Sequence, residues 1–193
     1  MEVAPDLLGR TLVRVLPDGT RLSAAIVETE AYEPGDPASH GFRRRSAFND
    51  TMFGPPGRLY VYFTYGNHWM MNVVTRHPDE PSAVLLRAAR PLEGHTEMAR
   101  RRGRDREIDL CSGPGKLCRA LGVDHEQDGE DLVRGRVVWL EAGSPVPELS
   151  VIAGVRVGVS AGLERDWRFR VDGDPFVSKG RPGPPSRGRA RRR

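Results

Sequence analysis

The segment Val27-Glu28-Thr29-Glu30-Ala31-Tyr32 puts two carboxylates and an aromatic ring at alternate positions. On a strand, alternate side chains share a face, so Glu28, Glu30 and Tyr32 point one way, the two carboxylates roughly 6.5–7 Å apart. That arrangement suits an acid/base pair, or one base beside an aromatic platform. A solvated outer sheet face would carry the same residues, and spacing does not choose between Glu28 and Glu30. A second cluster, Tyr60, Tyr62, Phe63, Tyr65, His68 and Trp69, holds three of the chain's four tyrosines. Alternation assigns Leu59, Val61 and Phe63 to a buried face and leaves Tyr60 and Tyr62 opposite, with Tyr65 at a turn beside Gly66. Exposed rings near arginines are what base stacking requires. The runs Arg43-Arg44-Arg45 and Arg100-Arg101-Arg102, with Arg104 and Arg106, suit either solvated loops or phosphate contact.

Other chemistries find less support. Cys111 and Cys118 are seven positions apart, which would put them on one side of a helix. Two such ligands are not a zinc site, and with Leu117 and Leu121 they read as inert core thiols. The five histidines, at 40, 68, 77, 95 and 125, show no metal-binding spacing, so no metal and no cofactor is expected. Ser112-Gly113-Pro114-Gly115-Lys116 lacks the full spacing of a nucleotide-triphosphate loop. It suits a helix start, capped by Ser112, at which Lys116 could hold one backbone phosphate.

The elements that must position these groups are mostly strands. Thr11 to Leu16 and Arg21 to Glu30 flank the turn sequence Pro17-Asp18-Gly19-Thr20, and Arg58 to Tyr65 and Trp69 to Thr75 flank Gly66-Asn67; both read as hairpins. Ala83 to Ala88, Arg136 to Glu141 and Val151 to Val159 are further β-branched strand candidates. Leu92 to Arg102 and Pro114 to Leu121 read as helices, the second ended by Gly122. The pattern predicts an α+β fold: a single domain with a curved, largely antiparallel β-sheet core and peripheral helices.

The chain has 193 residues, 38% apolar and 29% charged, enough for one globular core. Its apolar runs fall far short of the roughly 18 residues a membrane span needs. The N-terminus shows no secretory pattern, so a cytoplasmic protein is expected. The formal charge of +4 hides a partition: the last thirteen residues carry six arginines and no acid, leaving −2 for residues 1–180. Residues 1–179 are read as the folded domain. Residues 180–193, of Gly, Arg, Pro, Ser and Ala, read as a disordered basic tail.

Taken together, these segments resemble the alkylpurine (3-methyladenine) DNA glycosylases of the single-domain mammalian type, also found in bacteria. The resemblance runs from about Leu7 to Ser178. It is carried by Val27 to Tyr32, His40, Met52-Phe53-Gly54-Pro55-Pro56-Gly57, Leu59 to Gly66, Asn72, Val84 to Ala88, and Leu110 to Cys118. It implies a monofunctional enzyme that flips alkylated or deaminated purines out of double-stranded DNA, hydrolyses the N-glycosidic bond and leaves an abasic site, acting as a monomer.

By that resemblance Glu30 is the base that activates water, Arg87 helps hold the water, and the carbonyl of Val157 gives it a further contact. Tyr32, His40 and Tyr62 are the walls of the base pocket, Asn72 crowds the 2-amino group of guanine, and Tyr65 enters the duplex. Lys116, Arg43, Arg44 and Arg45 are candidate backbone contacts. The chain departs from the family pattern at Phe48-Asn49, where Arg-Asn is usual, and at Asn67, where Met is frequent. Two readings from other classes stand beside this one: a carbohydrate hydrolase using Glu28 and Glu30 as paired carboxylates, and a non-catalytic single-strand binder.

Overall fold

The computed structural model describes residues 2–180. The sheet is built around one long strand. After a single helical turn, α1 (Val3–Asp6), come β1 (Thr11–Val15) and β2 (Arg21–Tyr32), joined at Pro17-Asp18-Gly19-Thr20 as expected. Gly19 takes the positive φ of 85° that this turn needs, and the Asp18 carboxylate accepts the N–H of Thr20. Along one edge β2 pairs with β5 (Ala83–Glu93). Along the other it pairs first with β1 and then, at Glu28 to Glu30, with β8 (Arg168–Val171). With β3 (Leu59–Thr64), β4 (His68–Val74), β6 (Val138–Glu141) and β7 (Val151–Gly154), these form an eight-stranded antiparallel sheet. Its main order is β3-β4-β5-β2-β1-β6, and β7 joins through β8. The fold is α+β, with a curled antiparallel sheet and few helices.

Several elements differ from expectation. The helix read over Leu92 to Arg102 is α2 (His95–Arg102): Leu92 and Glu93 stay on β5, and Gly94, at φ 79°, breaks the chain between them. Helix α3 (Pro114–Leu121) has its expected bounds and ends at Gly122 in the left-handed conformation. Its N-cap, however, is Gly113 with no side-chain bond, and the Ser112 hydroxyl instead accepts from Lys116 Nζ at 3.3 Å. Cys111 precedes α3 rather than lying on it. Both thiols are free and buried, and burial pushes Cys111 up to about 12 and Cys118 higher still, which suits inert core residues. The strand read over Val151 to Val159 stops at Gly154, because Arg156 turns inward and Gly158, at φ 74°, starts a turn. Strand β8, four residues in a polar stretch, carried no sequence signal of its own.

Glu28, Glu30 and Tyr32 share a face as expected, Arg87 reaching both carboxylates and the Tyr32 hydroxyl reaching Glu30, but that face is not solvated: Glu28, Thr29, Glu30 and Ala31 are all buried, so this strand lies inside the protein on both faces. Its pairing with β5 shifts register on either side of Glu28, and such bulges re-aim side chains next to active sites. On β3, Tyr60 is buried among Met52, Val74 and Ala83, whereas Phe63 is exposed, the reverse of the expected facing. Of the tail assigned to residues 180–193, all but Gly180 lies outside the described residues.

Candidate active site

Strands β2, β3, β4 and β5 bring the aromatic residues to one cleft of about 270 Å³. Its walls include Tyr32, His40, Tyr62, Tyr65, Asn72, Arg87 and Val157, which were expected together, and Tyr60, which was not assigned to the site. The rings of His40 and Tyr62 meet edge to face, centroids 4.4 Å apart. Tyr60 fixes the histidine: its hydroxyl lies 3.0 Å from His40 Nδ1 and donates to the carbonyl of Phe48 at 3.3 Å. Burial, and secondarily the charge of Arg43, hold His40 below the usual histidine range, so it is neutral at pH 7. Asn72 is buried, its amide donating to the Tyr60 carbonyl at 3.0 Å.

Tyr65 stands at the tip of the β3–β4 hairpin. It and Gly66 take φ of 53° and 69°, the pattern of a type I′ turn, and the Tyr65 side chain is 74% exposed. This is an open ring on a turn whose positive φ strains a non-glycine residue.

Glu30 lies one layer behind the cleft wall. Its carboxylate is fully buried and does not itself line the cleft; Tyr32, Arg87 and Val157 do. Oε1 accepts the backbone N–H of Val157 at 2.6 Å, and Oε2 accepts the Tyr32 hydroxyl at 3.0 Å and Arg87 Nη1 at 3.3 Å. The Val157 contact thus runs through its amide to the carboxylate, where a carbonyl contact to water was expected. Burial raises Glu30 above the ordinary carboxylate value of 4.5, and the Arg87 charge and the Val157 amide only partly oppose it.

Glu28 has a different environment. It is also fully buried, but Oε1 accepts Arg168 Nε at 2.6 Å, Arg87 Nε at 3.0 Å and the Ser178 hydroxyl at 3.0 Å, and Oε2 accepts the Ser178 amide at 2.7 Å. A carboxylate so enclosed is a strut for Arg87, not a partner acid. The exposed pair that the carbohydrate-hydrolase reading needs is therefore absent from this face.

Sequence reasoning missed four further residues: Tyr60, Arg156, Arg168 and Ser178. Arg156 is buried, paired with Asp36, and places its guanidinium carbon 4.7 Å from the Tyr32 ring centre, behind the cleft wall. An arginine bracketed by valines could have been flagged as unusual in a strand; Arg168 and Ser178 gave no comparable signal. Of the candidate phosphate contacts, Arg43 and Arg44 are exposed and without an ion-pair partner among the described residues. Arg45 is instead committed to Asp50 and Asp79 at 2.6 and 2.9 Å. Lys116 lies outside the cleft. Among the described residues, no group of three or more His, Cys, Asp or Glu is arranged to hold a metal ion.

Comparison with known proteins identifies the family. The chain matches the family described as methylpurine-DNA glycosylase (MPG) over residues 1–175. It is 45% identical over 193 residues to a protein of Chlorobaculum parvum, covering 100% of this chain and 92% of that one. It is 48% identical over 195 residues to a protein of Streptomyces avermitilis (98% and 91%), and 48% identical over 169 residues to one of Rubrobacter xylanophilus (88% and 87%). All three bear the name "Putative 3-methyladenine DNA glycosylase". By this match over most of its length, the chain belongs to the methylpurine-DNA glycosylase family.

Proposed function

We propose that this protein flips alkylated or deaminated purines out of duplex DNA and hydrolyses the N-glycosidic bond with a water activated by Glu30. An abasic site is left and the strand stays intact. Family membership makes it a hydrolase of N-glycosyl bonds with DNA as substrate. The finer mechanism rests on one observation: Glu30 is held by Arg87, Val157 and Tyr32 directly behind an aromatic cleft.

A carboxylate offers about four acceptor sites. Three are filled by Val157, Tyr32 and Arg87, which leaves one for water. Since the carboxylate is sealed by the cleft wall, water reaches it when Tyr32 or the loop at Val157 shifts as the nucleotide enters; such bonds commonly tighten only in the complex. Burial raises the proton affinity of Glu30, which suits a base, and the Arg87 guanidinium keeps the ionised form accessible. The same carboxylate faces the positive charge that builds on the sugar as the bond breaks.

A purine alkylated on a ring nitrogen is already cationic and leaves without an acid. Between Tyr32 and Tyr62 it gains cation–π attraction of roughly 1–2 kcal/mol once desolvated. Extrusion costs a few kcal/mol, least for damaged or mispaired bases, and insertion of Tyr65 offsets part of this. Strand cleavage through a Schiff base would need an amine in the cleft, and neither lysine, Lys116 or Lys179, lines it.

The test incubates the protein with methylated and with hypoxanthine-containing duplexes, measuring released base and nicked strand separately. Base release without nicking is expected. Release accompanied by nicks and a borohydride-trapped adduct would replace the hydrolytic reading by a lyase one, and no release would refute both. Retained binding of damaged DNA without release would favour the single-strand binder.

A further inference from the structure

The base cleft has a neighbour. A second cleft, of about 510 Å³, shares Ala38 and His40 with it and is otherwise bounded by the loop that carries Arg43, Arg44, Phe48 and Asn49. Its volume is in the ordinary range for ligand sites. Phe48 is 55% exposed, yet its ring is fixed at the junction of the two clefts: its centroid is 5.2 Å from that of His40 and 6.1 Å from that of Tyr62. What marks Phe48 is its place rather than its exposure: an open face between the base cleft and two exposed guanidiniums.

The loop is held in shape before any ligand arrives. Asn49 is buried and uses its whole side chain: Oδ1 accepts the Ser46 amide at 2.7 Å and the Ser46 hydroxyl at 3.1 Å, and Nδ2 donates to the His40 carbonyl at 3.0 Å and the Arg44 carbonyl at 3.4 Å. The Phe48 carbonyl is tied to the Tyr60 hydroxyl. Neither Arg43 nor Arg44 has an acidic partner among the described residues, and no Asp or Glu lines the cleft. A preformed aromatic face beside two free guanidiniums, one ring away from the base pocket, matches a base and the phosphate attached to it.

We propose that this second cleft is a subsite for the nucleotide adjoining the extruded one: its base stacks on Phe48 and its phosphate is held by Arg43 and Arg44. The proposal rests on the reading that the damaged base enters the Tyr32–Tyr62 cleft, because only then does a neighbouring nucleotide fall within reach of Phe48. Stacking on a ring is indifferent to base identity, so the subsite grips any sequence. It requires the neighbour to be unstacked, so it acts most strongly on single strands and on duplexes already opened at the lesion.

The experiment uses the full chain and oligonucleotides with 2-aminopurine on one or the other side of a tetrahydrofuran abasic analogue, together with hypoxanthine excision from single strands. On binding, the fluorescence of 2-aminopurine on one side should be quenched by stacking. Phe48→Ala should abolish that quenching and lower single-strand excision efficiency about tenfold, and Phe48→Tyr should restore both. Arg43→Ser with Arg44→Ser should lower the salt slope of binding by about 0.9 on duplex, or about 0.7 on single strands, for the one phosphate no longer neutralised. The subsite is refuted if Phe48→Ala quenches and excises like the wild type, or if Phe48→Tyr fails to rescue. Tyr62→Ala separates the two readings. If it excises normally, the base-pocket assignment fails and the subsite with it; if it is impaired while Phe48→Ala is not, the subsite alone fails.

Discussion

Replacing Tyr65 by glycine should leave the protein at least as stable and much worse at opening duplex DNA. The residue sits at φ 53° with a side chain that is 74% exposed. A side chain in the left-handed region costs about 1–2 kcal/mol, and glycine removes that strain while adding roughly 0.5–1 kcal/mol of chain entropy to the unfolded state. An open ring buries little, so the balance lies between about zero and 1.5 kcal/mol in favour of the variant. For a chain of this size that is a rise in Tm of up to about 6 °C. The loss falls on catalysis: ring–base stacking is worth about 1–3 kcal/mol, so duplex excision should drop roughly 5- to 150-fold, with single strands little affected. Single-turnover release of hypoxanthine from both substrates, with calorimetry on both proteins, measures this. Equal losses on duplex and single strand would refute insertion. A Tm lowered by several degrees would show that the ring, whose hydroxyl lies near Gly158, is a packing element instead.

Other perturbations separate the roles of neighbouring groups. Glu30→Gln should lower excision by on the order of 10²-fold or more while lesion binding persists; full activity would remove Glu30 from the mechanism. Because burial raises Glu30 above 4.5, the rate should climb with pH through a midpoint above the ordinary carboxylate range. The folded state holds this proton more tightly than the unfolded one, so stability falls as pH rises through the same window, and Glu30→Gln should abolish that component. Glu28→Ala should destabilise by about 3–5 kcal/mol, since it strands Arg87 and Arg168 in the interior; a mild loss of Tm would show that the two arginines find other partners. Deleting residues 181–193 should reduce the salt slope of DNA binding by about 0.9 for each phosphate that the tail neutralises. Gly180, the point of attachment, lies against Val157 and Arg87, so an unchanged slope would mean the tail avoids DNA even though it is rooted beside the site.

What could be read in advance followed a physical rule. Turns written by Gly and Asp, helix stops at glycine and aromatic residues at a hairpin tip are local, and Asp18-Gly19, Gly122 and Tyr65 behaved as their chemistry requires. Misreadings occurred where tertiary contacts outvote periodicity. Glu28 and Glu30 look like an outer face because carboxylates normally stay in water. They are buried because Arg87, Arg168 and the Ser178 amide arrive from 57 to 150 residues away, and no local pattern announces such partners. Tyr60 and Phe63 exchanged their expected environments for a similar reason: Met52, Val74 and Ala83 enclose the first, and the second has Trp69 beside it and stays partly in solvent.

The buried charges also constrain how the cleft distinguishes its ligands. Glu28 and Glu30 face Arg87 and Arg168, so the ionised quartet behind the wall is formally neutral and adds no net charge to the cleft wall. The ring faces that a cationic base would meet are unequal. Tyr62 is backed by the neutral His40, while Tyr32 has the Arg156 guanidinium 4.7 Å behind it, with Asp36 as its counter-ion. A cation on one face of a ring draws the ring's electrons toward itself and weakens the opposite face for a second cation. Arg156→Met paired with Asp36→Leu keeps the site apolar and removes this bias. Excision of a cationic 7-methylguanine should therefore rise relative to neutral hypoxanthine, by up to about fivefold if roughly 1 kcal/mol of cation–π attraction is restored. Parallel loss of both activities would mean that Arg156 serves only to anchor the loop that delivers the Val157 amide to Glu30.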